Sequence, residues 1–205
     1  MTEPLAAMVD IGFGLEGDAL PRDHRRALAE ALERALPWFA GVPGAGIHRL
    51  NLPSGDRAEA PLSGRTRLRL RVPRERAPDV AALAGAELRL GDRHLRVGAP
   101  KQRELLPYGT LYAHCVAVES AVAEEADFLR AVQAELLQLG VPCRAICGRR
   151  QVSDQGEMQG YSLMLDGLSA EHSLRVLELG LGPHRRLGCG VFVAHRSASA
   201  VGAPA

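Results

Sequence analysis

Two successive runs of residues, each in the order strand, helix, strand, strand, helix, strand, divide the 205-residue chain into halves. That order, βαββαβ written twice, predicts an α+β protein made of tandem ferredoxin-like (RRM-like) domains. A proline-bounded stretch, Pro100 to Pro107, reads as the linker. It sets domains at 1–103 and 104–196 and leaves a small-residue tail, 197–205, expected to be disordered. With 46% hydrophobic residues, each half of roughly 100 residues can bury its own core.

The first half opens on Val9 to Leu15, a short apolar stretch with glycines that reads as a strand. Leu20-Pro21-Arg22-Asp23 then opens a helix, with proline near its start and Asp23 in its first turn. Ala27, Leu28, Ala31, Leu32, Ala35 and Leu36 recur at helical spacing, and Pro37 stops the run. Gly44-Ala45-Gly46 is a turn, Ile47 to Leu52 a strand, and Pro53 to Ser63 a loop. From Arg65 to Val72 the alternation is strict. Thr66, Leu68, Leu70 and Val72 form a core face, while Arg65, Arg67, Arg69 and Arg71 form a basic one. Pro78 to Gly85 makes a short helix, and Ala86 to Val97 a hairpin around Gly91-Asp92.

The second half follows the same order. Thr110 to Val118 alternates as a strand, and Ala126 to Leu139 is an amphipathic helix closed by Gly140. Pro142 to Arg149 and Gly160 to Leu165 are strands joined by the polar loop Arg150 to Gln159. Ser169 caps the next helix. A glycine- and arginine-rich loop, Gly180 to Gly190, leads into a last strand, Gly190 to Ala194.

Composition excludes several classes. No apolar run approaches the roughly 18 residues of a membrane span, so no membrane partner is expected. The acidic N-terminus, Met1 to Asp10, has no basic region of a secretory signal. Cys115, Cys143, Cys147 and Cys189 are too few and scattered for a disulfide framework and read as reduced, in a cytoplasmic protein. Cys143-x3-Cys147 has no second pair, and no His/Cys/Asp spacing fits a metal, so neither metal nor cofactor is expected. Twenty-five basic residues against 24 acidic give a net charge of only +1, so bulk charge does not point to nucleic acid. Lys101 is the only lysine; the other basic residues are arginine, the side chain suited to bidentate phosphate contacts.

The loop after the last helix carries most of the chemistry. Gly180, Gly182, Gly188 and Gly190 flank His184, Arg185 and Arg186, and no acid follows Gly180. Glycine lets a backbone approach phosphate, and exposed N–H groups with arginine bind it. The glycines precede a strand rather than open a helix, which excludes a dinucleotide fingerprint, and no Gly-Lys-Ser/Thr forms a P-loop. Arg144, Arg149 and Arg150 form an acid-free cluster around the second hairpin. Aromatic residues make up only 4% and the RRM stacking signature is absent, so structured RNA fits better than stacked single strands.

The loop, its position after the last helix, and the strand Gly188-Cys189-Gly190-Val191-Phe192-Val193 together resemble the CRISPR-associated endoribonucleases that mature guide RNA. This is the Cas-six family of the repeat-associated mysterious protein superfamily. Val9-Asp10-Ile11-Gly12-Phe13, Leu20-Pro21-Arg22-Asp23-His24, Leu36-Pro37-Trp38, Gly46-Ile47-His48 and Gly160-Tyr161-Ser162-Leu163 are similar to its Myxan-type branch, so the resemblance spans about 8–196.

The resemblance implies a metal-independent cut of CRISPR repeat RNA. The ribose 2′-hydroxyl attacks the scissile phosphate, leaving 2′,3′-cyclic phosphate and 5′-hydroxyl ends. It implies a stem-loop repeat as partner and, beyond it, other subunits of a type I effector complex. A catalytically inactive repeat-binding subunit is the alternative. Histidine suits the base and acid roles because its pKa lies near 6.5, and arginine suits the phosphorane charge. Among seven histidines, His24 leads: in a related branch the catalytic histidine also lies early on this helix. His48 follows, as other branches carry theirs after the first helix. His184 is placed as a phosphate binder with Arg185, Arg186 and the four loop glycines; Lys101, Arg144, Arg149 and Arg150 complete the RNA-binding set. His94, His114, His172 and His195 are read as structural or solvent-exposed.

Overall fold

A computed structural model describes residues 6–55, 57–118, 124–153 and 158–195. They form two compact units. The first holds the residues before Leu105 and also Arg186–Gly188; the second holds Leu105–Arg185 and the residues from Cys189 onward.

In the first unit, β1 (Met8–Glu16), α1 (Arg25–Ala35), β3 (Gly46–Ile47), β5 (Arg67–Pro73), α2 (Ala77–Ala81) and β7 (Arg93–Glu104) give the βαββαβ order. β2 (Ala19–Pro21), β4 (Glu59–Pro61) and β6 (Glu87–Leu90) are additions to it. The five-stranded sheet runs β3-β5-β1-β7-β6, with β1 central and its neighbours antiparallel. Val9, Ile11 and Phe13 of β1 and Leu68, Leu70 and Val72 of β5 are fully buried together with Leu28 and Leu32 of α1. The β5 members are the apolar face that the alternation predicts.

Four expectations change here. Ala19–Pro21 is a strand, not a helix start: it pairs with Glu59–Pro61 and buries Leu20, so α1 begins only at Arg25 with His24 as its N-cap. The expected loop 53–63 therefore contains β4, and the expected strand Ile47 to Leu52 contracts to Gly46–Ile47. The expected linker is largely β7, whose Lys101, Gln102 and Arg103 pair with Gly12, Ile11 and Asp10. Pro100 fits because β6 pairs only with Arg93 to Arg96, leaving the proline on an unpaired edge.

In the second unit, β8 (Thr110–Ala117), α3 (Glu125–Gln138), β9 (Arg144–Ser153), β10 (Met158–Asp166), α4 (Ala170–Leu179) and β11 (Val193–Ala194) form a β11-β8-β10-β9 sheet. The Ser169 hydroxyl accepts from the backbone N–H of His172, the expected cap. The last strand is shorter than expected because only Val193 and Ala194 pair with β8. The expected disordered tail lies outside the described residues.

Both units thus carry the same strand order, edge-second, third, first, fourth, of a ferredoxin-like sheet, and the chain is a tandem ferredoxin-like protein. Glycine is decisive at Gly160 on β10, where a Cβ would run into the Val116 carbonyl of β8, an atom that cannot yield. Gly14 on β1 faces open space. Gly160→Ala should therefore cost about 1–3 kcal/mol, whereas Gly14→Ala should be neutral or gain about 0.5 kcal/mol. Thermal and urea unfolding of the two variants checks the contrast; equal midpoints would contradict it.

Candidate functional site

The first unit holds a pocket of about 210 Å³ lined by His24, His48, Arg22, Arg25, Arg49, Arg186, Gly188 and a floor of leucines with Ile47. The two foremost histidines of the sequence therefore meet at one site, and part of the glycine loop reaches it.

His24 arrives at the α1 N-terminus. Its Nδ1 lies 2.9 Å from the Pro21 carbonyl oxygen. A carbonyl only accepts, so Nδ1 carries the hydrogen and Nε2 is the proton-accepting nitrogen. Burial, with the positive charge of Arg25, holds the His24 pKa below its ordinary value despite the opposing pull of Pro21, Arg22 and Asp23.

His48 follows β3, whose pairing with β5 continues through the His48 N–H to the Arg69 carbonyl at 2.9 Å. Its Nε2 lies 3.0 Å from Oδ1 of Asp10. Arg71 donates to the same carboxylate from Nε at 2.8 Å and Nη2 at 3.0 Å. Asp10 and Arg71 are register partners on β1 and β5. Arg71 is 1% exposed, so the basic stripe read from Arg65 to Arg71 is corrected at its last member: this arginine is a buried ion-pair partner, not a surface charge. Burial alone would raise the Asp10 pKa, but the His48 hydrogen bond and Arg71 hold it well below the usual carboxylate range. An ionised Asp10 only accepts, so His48 carries its hydrogen on Nε2, and its proton-accepting nitrogen is Nδ1. Burial, reinforced by Arg71 and Arg69, outweighs Asp10 and pushes the His48 pKa down to about 4.

The loop glycines divide. Gly188 lines the pocket, where an added Cβ would sit 3.4 Å from the Ile47 carbonyl oxygen. Gly180, Gly182 and Gly190 lie in the second unit at positive φ, packed against Arg185, the Ala117 carbonyl and the Leu181 carbonyl. Their freedom serves the turn itself. The Gly182 N–H donates to both Glu135 carboxylate oxygens, at 2.9 and 3.0 Å. Arg185 donates to the Gly190 carbonyl at 3.0 Å. His184 is exposed at φ 65°, and Arg186 pairs with Glu33 at 2.8 Å.

Elsewhere, Lys101 is exposed on β7. Arg144, Arg149 and Arg150 are exposed on β9; Arg144 pairs with Asp166 at 2.6 Å, and Arg150 donates to Gln159 at 2.7 Å. The four cysteines are free thiols, and burial pushes the Cys147 thiol up to about 11, away from a reactive thiolate. Among the described residues no three His, Cys, Asp or Glu side chains are grouped to hold a metal, and no helix is long and apolar enough to cross a membrane.

Sequence reasoning missed Arg22, Arg25 and Arg49 as pocket walls and Asp10 as the partner of His48. The local signal for the arginines was their adjacency to the two histidines; for Asp10 there was none, since only strand register joins it to Arg71. Two imidazoles with fixed tautomers, beside guanidinium groups, can accept a proton at one nitrogen and donate one at another next to a bound anion.

The depressed histidines tie stability to acid. Unfolded histidine titrates near 6.5 and folded His48 near 4, so between those values the unfolded chain binds more protons. Stability is complete above about pH 6.5 and should fall toward pH 4, by up to about 1.4 kcal/mol per pH unit for His48 alone. Urea midpoints measured across this window check it; a flat profile would contradict the buried neutral His48.

The family model for Cas6 Crispr proteins matches residues 9–197. The CRISPR-associated endonuclease Cas6 of Myxococcus xanthus (strain DK1622) is 38% identical over 191 residues, covering 92% of this chain and 82% of its own. A solved structure of a Cas6-related gene product from Pyrococcus furiosus matches with a TM-score of 0.65 at 14% identity, covering 91% of this chain and 98% of that one. Thermus thermophilus Cse3, bound to an RNA representing a pre-cleavage complex, gives 0.51 at 17% identity with the same coverage. At those identities the two structures speak for the fold. The family match across nearly the whole chain, and the close Myxococcus relative, place this chain in the Cas6 family.

Proposed function

We propose that this protein binds CRISPR repeat RNA and cuts the precursor transcript into guide RNAs, without a metal ion, at the His24–His48 pocket. The observation that carries the proposal is the pairing of two buried histidines of fixed, different tautomers in one arginine-walled pocket. Its relationship to a 38% identical Cas6 endonuclease supports the RNA substrate.

In this reading the scissile phosphate sits among Arg25, Arg49 and Arg186, where guanidinium groups offset the charge that grows on the phosphorane. Arg22 is tied up in part by the loop before β4, donating to the Pro53 and Arg57 carbonyls at 2.9 and 2.8 Å. His24 is neutral and takes the 2′-hydroxyl proton on Nε2. The 2′-oxygen bonds to phosphorus, and the bond to the 5′-oxygen breaks. His48, protonated on Nδ1 once the phosphate is seated, returns a proton to that oxygen. The ends are a 2′,3′-cyclic phosphate and a 5′-hydroxyl, and the two histidines have exchanged protonation states. The exposed arginines of β9 and the exposed Lys101 supply further RNA affinity.

The experiment is single-turnover cleavage of a panel of CRISPR repeat RNAs. His24→Ala should keep RNA binding and slow cleavage by about 10²–10⁴-fold. His48→Ala should slow it less, and excess EDTA should not matter. Wild-type binding without cleavage would make the chain a repeat-RNA carrier; cleavage that stops in EDTA and returns with magnesium would overturn the metal-free route.

Gly188 tests the loop's part. At φ 82° it lies in a region that valine does not adopt, and a larger side chain would enter the pocket. Gly188→Val should weaken repeat-RNA binding at least about tenfold with helix content unchanged, measured by gel shift and circular dichroism.

A further inference from the structure

We propose that Asp10 is a positioning residue for His48, holding Nε2–H against its carboxylate so that Nδ1 is the nitrogen that serves the leaving 5′-oxygen. The proposal rests on the endoribonuclease reading above and assigns a role that the pocket residues alone do not give.

Asp10 and Arg71 would satisfy each other as an ordinary cross-strand pair. Arg71 reaches both carboxylate oxygens and so fixes the plane of the group. Yet Oδ1 accepts a second hydrogen, from a histidine that is itself a pocket wall. Without that acceptor the ring is free to carry its hydrogen on Nδ1, where it would present a bare nitrogen to the wrong side. With it, the ring has one orientation and one tautomer, and a positive ring has a negative partner behind it.

The surrounding charges explain why the proton arrives with the substrate. His48 faces Asp10 from β1, Arg69 and Arg71 from β5, and Arg49 next in the chain; Arg22, His24, Arg25 and Arg186 line the same pocket. Burial, reinforced by this excess of cations, disfavours an imidazolium in the free protein. A phosphodiester brings an anion into the pocket and favours proton uptake at Nδ1. The proton then passes from Nδ1 to the 5′-oxygen as the P–O bond breaks and its electron pair moves to that oxygen. His48 ends neutral, still donating from Nε2 to Asp10.

A repeat RNA with sulfur replacing the 5′-oxygen at the cut distinguishes this role from a structural one, because a thiolate leaves without a proton. On ordinary RNA, Asp10→Asn should bind normally and cleave about 10–10³-fold more slowly. The sulfur substrate should restore both Asp10→Asn and His48→Ala to near the wild-type rate, while His24→Ala stays slow. Asp10→Asn should add nothing in the His48→Ala background. An Asp10→Asn protein that is unimpaired on ordinary RNA, or equally slow on both substrates, overturns the proposal. A wild type that cuts neither RNA removes the endoribonuclease reading itself. Should Asp10→Asn fail to fold, histidine 15N NMR of the wild type decides. Nε2 should be protonated and Nδ1 bare in the free protein, with both protonated when an uncleavable repeat RNA, 2′-deoxy at the cut, is bound. The reverse tautomer overturns the proposal.

Discussion

A buried charge pair between neighbouring strands sets the terms for the first unit. Asp10 and Arg71 stand opposite each other in the β1–β5 ladder, on the face that the apolar side chains of both strands leave. A buried ion pair of this kind adds little net stability against a well-packed apolar alternative, but removing one member typically costs about 3–5 kcal/mol. Its value here is geometric. It ties the central strand to β5, and through Oδ1 it ties His48, beyond the end of β3, to both. Register, ion pair and imidazole orientation therefore stand or fall together: a slip of one residue would send Asp10 to the apolar face and leave Arg71 buried without its partner.

His24 reaches the same pocket by a different route. The β2–β4 pairing, sealed by the burial of Leu20, delays the start of α1 until Arg25. The histidine then stands before the first turn, its ring anchored by a carbonyl rather than a carboxylate. The two rings thus differ in what stands behind them: a neutral acceptor for His24 and a charged one for His48. A carboxylate partner suits a ring that must become positive, and a carbonyl suits one that must start neutral. That asymmetry is the physical basis for the different halves of the proton transfer proposed for them.

The glycine loop serves two ends within eleven residues. Gly180, Gly182 and Gly190 are needed because backbone carbonyls lie where a Cβ would be, and the Gly182 N–H is already taken by Glu135. Gly188 alone among the four borders the pocket. Glycine-rich composition therefore overstated how much of this loop is open to phosphate. The acids that engage it, Glu33 and Glu135, come from helices far away in the chain, so the acid-free run after Gly180 did not mean an uncompensated one.

By itself the sequence determined the doubled βαββαβ order, because strand and helix periods are local properties of the side-chain pattern. The core face of β5 and the Ser169 cap were legible for the same reason; His24 and His48 were singled out through family resemblance, and the fold brings both to one pocket. Tertiary structure alone decided what depends on pairing across long separations. Proline and a helical period made Leu20 to Asp23 look like a helix start, but pairing with residues some forty positions on made it a strand. Arg71 looked like the other arginines of its stripe by alternation, and only the carboxylate across the ladder shows why this one is buried. The same register makes Asp10 the partner of His48, a relation between residues 38 apart that no local spacing encodes.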